Sequence, residues 1–176
     1  MKLKQMLPLA LLLALLATSC TTVRVVTDYD RNVNFSEYQS FAFYRPGIDK
    51  AKISDLDKKR ILRAIDTELS AKGMTKAENP DVLVSIFTKE SERVDVYNNN
   101  YGWGWGWNPW WYGGSTVARS TEGTLYIDLI DAKKNELVWQ GIGSADLITS
   151  GDVEKKVKRI NEIVHEILLK YPPELK

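Results

Sequence analysis

The sequence predicts an α+β fold, in which an antiparallel sheet of about five strands in ββαβββα order carries two helices on one face. Strand-like segments flank two segments whose apolar residues recur at helical spacing. Turn residues separate these segments, and no internal repeat is evident. The chain of 176 residues is 44% hydrophobic, which suits one domain that buries both helices against one sheet.

The first two predicted strands run from Val23 to Asp30 and from Gln39 to Arg45. Both are rich in β-branched and aromatic residues, which favour strands. The polar connection between them contains Phe35 and Tyr38, whose rings we expect to pack beneath the sheet.

Both predicted helices have recognisable ends. Ser54 is placed to cap the first helix and Gly73 to end it, while Asp152 begins the last helix and Pro172 stops it. Each helix has one apolar stripe, which predicts that it packs by a single face. The stripes comprise Ile61, Leu62, Ile65 and Leu69 in the first helix, and Val153, Val157, Ile160, Val164, Ile167 and Leu168 in the last.

The remaining strands lie between the helices. "NPD" at residues 79–81 breaks the chain before "VLVSIFTKESERVDV", which begins as a buried strand and becomes polar. "GTLYIDLIDAKKNELVWQG" alternates apolar and polar residues on both sides of a turn from Ala132 to Asn135, which predicts a β-hairpin.

The N-terminus predicts an export signal. Lys2 and Lys4 precede an apolar run from Leu7 to Ala17, which is shorter than the roughly 20 residues of a membrane-spanning helix. "LATSC" resembles the lipobox of bacterial lipoproteins, although Leu16 lies four residues before Cys20 where three is commonest. Relaxed boxes of this kind resemble those of Bacteroidota.

We therefore predict that residues 1–19 are a signal peptide and that Cys20 carries lipid such as palmitate. Residues 20–22 would form a short tether and residues 23–173 a single domain. Several acyl chains on one residue anchor a protein stably, so the membrane is an expected partner.

Cys20 is the only cysteine, which excludes an intramolecular disulfide and a zinc site of several thiolates. Loss of Lys2 and Lys4 changes the formal net charge from +1 to −1, and this balance does not suggest a nucleic-acid partner.

The segment "NNNYGWGWGWNPWWYGG", from Asn98 to Gly114, joins the preceding strand to the hairpin. At about seventeen residues it exceeds the usual hairpin loop, and it has no charged residue. Its aromatic side chains form the predicted binding loop: Tyr101, Trp103, Trp105, Trp107, Trp110, Trp111 and Tyr112. Clustered indoles outside a core are typical of interfaces and of membrane-interface belts. Three interpretations stay open: contact with a membrane or partner protein, a platform for carbohydrate or peptidoglycan, and a tip that folds back on its own sheet.

Several motifs resemble bacterial lipoproteins built on the domain of unknown function 4136. They are the lipobox start, "DYDRNVNFSEYQSFAFY", "GTLYIDLID", "LVWQG" and the final "YPP". The resemblance spans Val23 to Pro173, and glycine- and aromatic-rich insertions at the position of the 98–114 loop are usual in such proteins. It implies an envelope location and this fold but no activity. Gln140 stands where a basic residue commonly follows the tryptophan of these proteins, so that charge is not required.

Candidate catalytic groups are few. His165, the only histidine, lies three residues after Glu162, a spacing found in carboxylate-bridged metal sites, but such sites need further carboxylates from other helices. Asp128 and Asp131 have odd spacing on a strand, which places them on opposite faces. We interpret His165 as a surface residue and Asp131 as the start of the hairpin turn.

The basic run from Lys155 to Arg159 is interpreted as a solvated helix face, with anionic headgroups as the alternative partner. We expect no catalytic residue, metal or cofactor. The predicted function is that of a non-catalytic, lipid-anchored envelope protein at the outer membrane, facing the periplasm, whose aromatic loop contacts membrane or a partner protein. The alternative is a periplasmic module that binds carbohydrate or peptidoglycan with the same loop. The oligomeric state stays open.

Overall fold

A computed structural model of the chain describes residues 23–97, 116–148 and 151–174. In chain order the elements are β1 (Arg24–Tyr29), a 3₁₀ turn (Phe35–Glu37), β2 (Ser40–Phe43), α1 (Arg45–Ile48), α2 (Asp55–Ala71), β3 (Thr75–Lys76), β4 (Val82–Tyr97), β5 (Thr116–Asp131), β6 (Glu136–Asp146) and α3 (Val153–Leu168). The predicted α+β class is confirmed.

The sheet has six strands in the order β1-β6-β5-β4-β2-β3. Strands β1, β6, β5 and β4 pair antiparallel, but β2 runs parallel to both β4 and β3. The prediction of a purely antiparallel sheet of about five strands is therefore only partly right. Helix α2 lies between β2 and β4 in the chain, and a helical connection of this kind returns the chain to the same end of the sheet.

Two short elements were missed at the sequence level. Strand β3 has only two residues, too few to show an alternating pattern. Helix α1 begins at Arg45, which the sequence placed at the end of a strand, and Pro46 occupies its first turn. Proline has no backbone N–H to continue a strand ladder but fits the first turn of a helix.

The predicted starts of both long helices and the end of the first are confirmed, whereas α3 ends at Leu168 and not at Pro172. The Ser54 side chain accepts a hydrogen bond from the Asp57 backbone N–H, and the Asp152 side chain accepts one from the Lys155 backbone N–H. Gly73, which follows α2, has φ of 86°, a left-handed conformation that glycine adopts without steric cost.

Both long helices contribute to one core on one face of the sheet. Among the described residues, the largest fully buried side chains are Trp139, Phe41, Ile65, Leu69, Ile86, Ile127, Leu129, Ile167 and Leu168. Every buried core residue that the structure describes lies between Phe35 and Tyr171. A chain that begins after Cys20 therefore retains this core.

An aromatic cluster closes the core at the hairpin-turn end of the sheet. The Phe35 ring packs edge-to-face on Tyr29, Tyr38 and Tyr171, with centroids 6.1, 6.2 and 6.0 Å away. Tyr171 also contacts Trp139 at 5.3 Å, and burial raises the pKa of Tyr171 to about 12. The predicted packing of Phe35 and Tyr38 is confirmed.

Two glycines let α3 approach β6 closely. A Cβ atom on Gly141 would lie 2.4 Å from Ile167 Cγ2, and one on Gly143 would lie 2.7 Å from Ile167 Cδ1. Such distances are well inside van der Waals contact, so a side chain at either position would push the helix away from the sheet.

Candidate functional site at the ribbon end of the sheet

Strands β4 and β5 extend beyond the rest of the sheet. They pair continuously from Val82↔Asp131 to Tyr97↔Thr116, whereas β6 pairs with β5 only as far as Glu122↔Asp146. The six pairs from Glu92↔Thr121 to Tyr97↔Thr116 form a two-stranded segment, which we call the ribbon. At about 3.4 Å per residue, the ribbon projects roughly 20 Å beyond β6.

The N-terminal strand begins at this same end of the sheet. Arg24, the first residue of β1, pairs with Ser144, and Ser144 pairs with Thr124 of β5. The Arg24 guanidinium also forms an ion pair with the Glu122 carboxylate at the base of the ribbon. Strand β1 therefore begins at the end of the sheet from which the ribbon projects.

The reach of each segment follows from covalent geometry. Cys20 precedes Arg24 by four residues, which span at most about 14 Å when fully extended. The last ribbon pair lies eight residues along β5 from Thr124, or about 27 Å. The end of the ribbon therefore extends past any position that Cys20 can reach in the ribbon direction.

The predicted binding loop lies outside the described residues. Its members Tyr101, Trp103, Trp105, Trp107, Trp110, Trp111 and Tyr112 all fall within residues 98–115, as Cys20 falls within 1–22. The structure shows where the loop is attached, since Tyr97 and Thr116 are the last pair of the ribbon.

A cavity of about 450 Å³ lies at the base of the ribbon, between the sheet and the two long helices. Its apolar lining includes Ile53, Ile61, Leu125, Leu147, Ile160 and Ile163. Its polar lining includes Asp57, Thr88, Lys89, Glu90, Lys156 and Arg159. Pockets of this size with mostly apolar walls and a few polar groups are typical of small-molecule sites.

Asp57 links the two helices at the rim of this cavity. Its carboxylate accepts hydrogen bonds from Arg60 at 2.6 Å and from the Ser54 hydroxyl at 2.9 Å, and Lys156 of α3 lies 3.5 Å away. Burial acts to raise the pKa of Asp57, but these bonds and the charge of Lys156 outweigh it and hold the pKa below its ordinary value.

The basic run on α3 is not uniformly solvated, which corrects the sequence interpretation. Lys155 and Lys158 are exposed over 72% and 75% of their side chains, whereas Arg159 is only 20% exposed. Lys156 and Arg159 line the cavity. Helical spacing in the sequence could have indicated that Lys156 faces the core, because Lys156, Ile160 and Ile163 fall on one face of a helix at i, i+4 and i+7. Thr88 follows Val82, Val84 and Ile86 at two-residue spacing, which places it on the same face of β4 as these buried residues.

The candidate catalytic residues are not brought together. Asp131 is buried on the helix side, and its carboxylate accepts from the backbone N–H groups of Lys133 and Lys134, as expected for the start of a turn. Asp128 faces the opposite side of the sheet and accepts a hydrogen bond from Gln140 at 2.7 Å. Burial raises the pKa of Asp128, and the bond from Gln140 partly opposes the rise.

His165 lies on the exposed side of α3, as predicted. Its Nδ1 atom is 3.0 Å from the Glu68 carboxylate of α2, while Glu162 faces Lys158 and Arg159. Within residues 23–97, 116–148 and 151–174, no three metal-ligating side chains form a cluster. None of the helices in these ranges is both long and apolar enough to span a membrane.

These features define an α+β protein with a six-stranded sheet, two covering helices and a long β-ribbon. The family model for the domain of unknown function DUF4136 matches residues 25–173, and the chain belongs to that family. The resemblance inferred from the motifs is thereby confirmed. Among curated proteins, none matches the chain by sequence.

Several solved structures are similar to the chain at low sequence identity. A PDZ domain protein from Parabacteroides distasonis ATCC 8503 is 18% identical with a TM-score of 0.53, and the match covers 94% of this chain and 40% of that protein. The chain thus spans less than half the length of that structure. A PelC dodecamer from Paraburkholderia phytofirmans matches with 13% identity and a TM-score of 0.47, covering 84% and 95% of the two chains. A minor lipoprotein from Acinetobacter baumannii has 9% identity and a TM-score of 0.39, with 76% and 89% covered.

Proposed function

We propose that this protein is a non-catalytic, lipid-anchored protein of the outer membrane that faces the periplasm and contacts the bilayer through its Trp/Gly-rich loop. The observation that carries the proposal is the common end of the sheet from which β1 starts and the ribbon projects. An anchor at Cys20 would hold that end against the headgroups. The ribbon, which outreaches the tether, would then bring the loop to the same surface.

The chemistry of the loop suits this position. Tryptophan and tyrosine concentrate at membrane–water interfaces because an apolar ring and a polar N–H or O–H find separate environments there. The 98–114 segment adds no charge that would have to be desolvated. Of the two contacts predicted from the sequence, membrane and partner protein, the geometry favours the membrane.

Acylation is tested by growing cells that express the full chain with an alkyne-tagged palmitate. We expect the protein to carry the label and the Cys20→Ala variant to lose it. Since Cys20 is the only cysteine, no other thiol can account for the label. An unlabelled wild-type protein with an unmodified N-terminus would contradict the anchor.

Loop contact is tested with an unacylated form that begins at Thr21, mixed with liposomes or with purified peptidoglycan. Replacement of Trp103, Trp105, Trp110 and Trp111 by Ala should weaken liposome binding by about tenfold or more. Phe87→Ala is the matched control, because Phe87 is 49% exposed on the sheet face away from the helices. Loss of peptidoglycan binding alone would favour the carbohydrate alternative, and no loss in either assay would contradict both.

A further inference from the structure

We propose that the cavity at the base of the ribbon binds an amphipathic anion, a molecule with an alkyl chain and one carboxylate or phosphate head. This inference concerns residues of the folded domain alone and stands without the lipid anchor or the aromatic loop. Three observations carry it: the walls of the cavity, two buried polar atoms that lack partners, and two cations whose contacts are long.

The walls suit an alkyl chain. The lining combines isoleucines from both helices with Leu125 of β5 and with Leu147. Leu147 can lie there because residue 123 is a glycine, where a Cβ atom would come 2.4 Å from Leu147 Cδ2. An alkyl chain in this space would gain burial against apolar surface on several sides.

Two buried polar atoms of the lining lack hydrogen-bond partners among the described residues. They are the Thr88 hydroxyl oxygen on β4 and the Nε atom of Arg159 on α3. A buried donor without a partner is costly, so most such groups in folded proteins are paired. A guanidinium N–H and a hydroxyl are both able to donate to an oxygen of an anionic head.

Within the described part of the chain, the ion pairs of the two cations that α3 contributes to the lining are long. Arg159 Nη1 lies 3.4 Å from Glu162, and Lys156 Nζ lies 3.5 Å from Asp57. Hydrogen bonds between charged groups usually measure about 2.7–2.9 Å. Asp57 takes its short bond from Arg60 at 2.6 Å, so Lys156 and Arg159 retain N–H groups for a further acceptor. The head group therefore belongs beside these two residues.

Binding is measured by calorimetric titration of the unacylated form beginning at Thr21, with each probe below its critical micelle concentration. The probes share a twelve-carbon chain and differ in the head: dodecanoate, dodecyl phosphate, dodecanol and dodecyltrimethylammonium. We expect saturable binding at one site per chain for one or both anions, with the neutral and cationic probes weaker by about tenfold or more. The two anions distinguish a fatty acid from a phosphate-headed lipid.

Arg159→Met should weaken binding of the anion by about tenfold or more, as expected for loss of a charge-assisted hydrogen bond. Lys158→Met is the matched control, because it removes the same charge from the same helix at a side chain that is 75% exposed and lies 3.9 Å from Glu162. It should change the affinity by less than about twofold.

Thr88→Val separates a binding role from a structural one. Replacement of an unpaired buried hydroxyl by a methyl group should leave the thermal midpoint unchanged or higher, while it weakens anion binding. Absence of saturable binding, equal affinity for dodecanol and for the tighter-binding anion, or equal effects of Arg159→Met and Lys158→Met would each overturn the proposal. A cavity that holds only water would show no saturable binding.

Discussion

Asp131 shows how one residue joins local and distant parts of the chain. It is 7% exposed, and its carboxylate accepts hydrogen bonds from the backbone N–H groups of Lys133 and Lys134, each at 2.8 Å, and from the Tyr38 hydroxyl at 2.9 Å. The bond from Lys134 is the largest influence on its pKa and outweighs burial, so the pKa lies below its ordinary value. Burial and the bond to Asp131 raise the pKa of Tyr38.

Asp131→Asn should lower the free energy of unfolding by about 1.5–3 kcal/mol at pH 7, the usual contribution of hydrogen bonds to a charged group. Because the folded-state pKa is depressed, this stability is present above the unfolded pKa of about 3.9 and is lost as pH falls through the folded pKa. The difference between variant and wild type should therefore shrink below about pH 4. Urea unfolding of the variant and the wild type at about pH 7 and about pH 3 measures this difference in the free energy of unfolding.

Asp66→Asn is the control for Asp131, since Asp66 forms an exposed ion pair with Lys76. Exposed pairs contribute about 0–1 kcal/mol. Equal effects of the two substitutions, or a difference independent of pH, would contradict the role given to Asp131.

At the residue scale, sequence reasoning succeeded where the interactions are local. The turn at Asp131 and the caps at Ser54 and Asp152 involve partners two or three residues away. The Tyr38–Asp131 bond joins residues 93 positions apart, and the His165–Glu68 contact joins residues 97 positions apart. Spacing along the chain carries no information about such pairs.

At the scale of elements, the hairpin of β5 and β6 was predictable because its alternation and its turn lie in one continuous segment. The parallel pairing of β2 with β4 was not, because it depends on α2 returning the chain to the starting end. Trp139 in β6 shows the same difference. The strand that contains it was predicted, but its contact with Tyr171 depends on how the residues after α3 pack.

Packing of α3 on β6 gives a test at this scale. Gly141→Ala should lower the free energy of unfolding by about 1–3 kcal/mol, because the added methyl group collides with Ile167 and Trp139. Thermal unfolding of the form beginning at Thr21 measures the change. Gly151→Ala is the control, since a Cβ atom there meets nothing within 4 Å, and a Gly141 variant as stable as this control would contradict the close approach of α3.

The whole molecule has two unlike ends. One end carries the hairpin turn and the aromatic cluster, and the other carries the ribbon, the start of β1 and the cavity. Signal, lipidation site and loop were each predicted from short stretches of sequence. The start of β1 and the ribbon share one end of the sheet because β1 pairs antiparallel beside β6, a distant pairing that no single stretch of sequence displays.

Shortening the ribbon tests whether its length matters to the whole molecule. Deletion of residues 93–96 and 117–120 removes four pairs beyond the last β6 pair and should draw the loop back by about 14 Å. We expect an unchanged unfolding midpoint and, for the acylated protein, weaker quenching of the loop tryptophans by brominated lipids. Substitution of the same eight residues by threonine preserves the length and should preserve the quenching, and equal quenching of all three proteins would show that the projection has no role.

Quenching of tryptophan fluorescence by brominated lipids tests the central claim most directly. The full acylated protein in such vesicles should be quenched, because the indoles at positions 103–111 would lie at the level of the headgroups. A variant with those five tryptophans replaced by phenylalanine retains only Trp139, which is fully buried, and its fluorescence should be unaffected. Wild-type fluorescence that is equally insensitive to the brominated lipids would contradict the account.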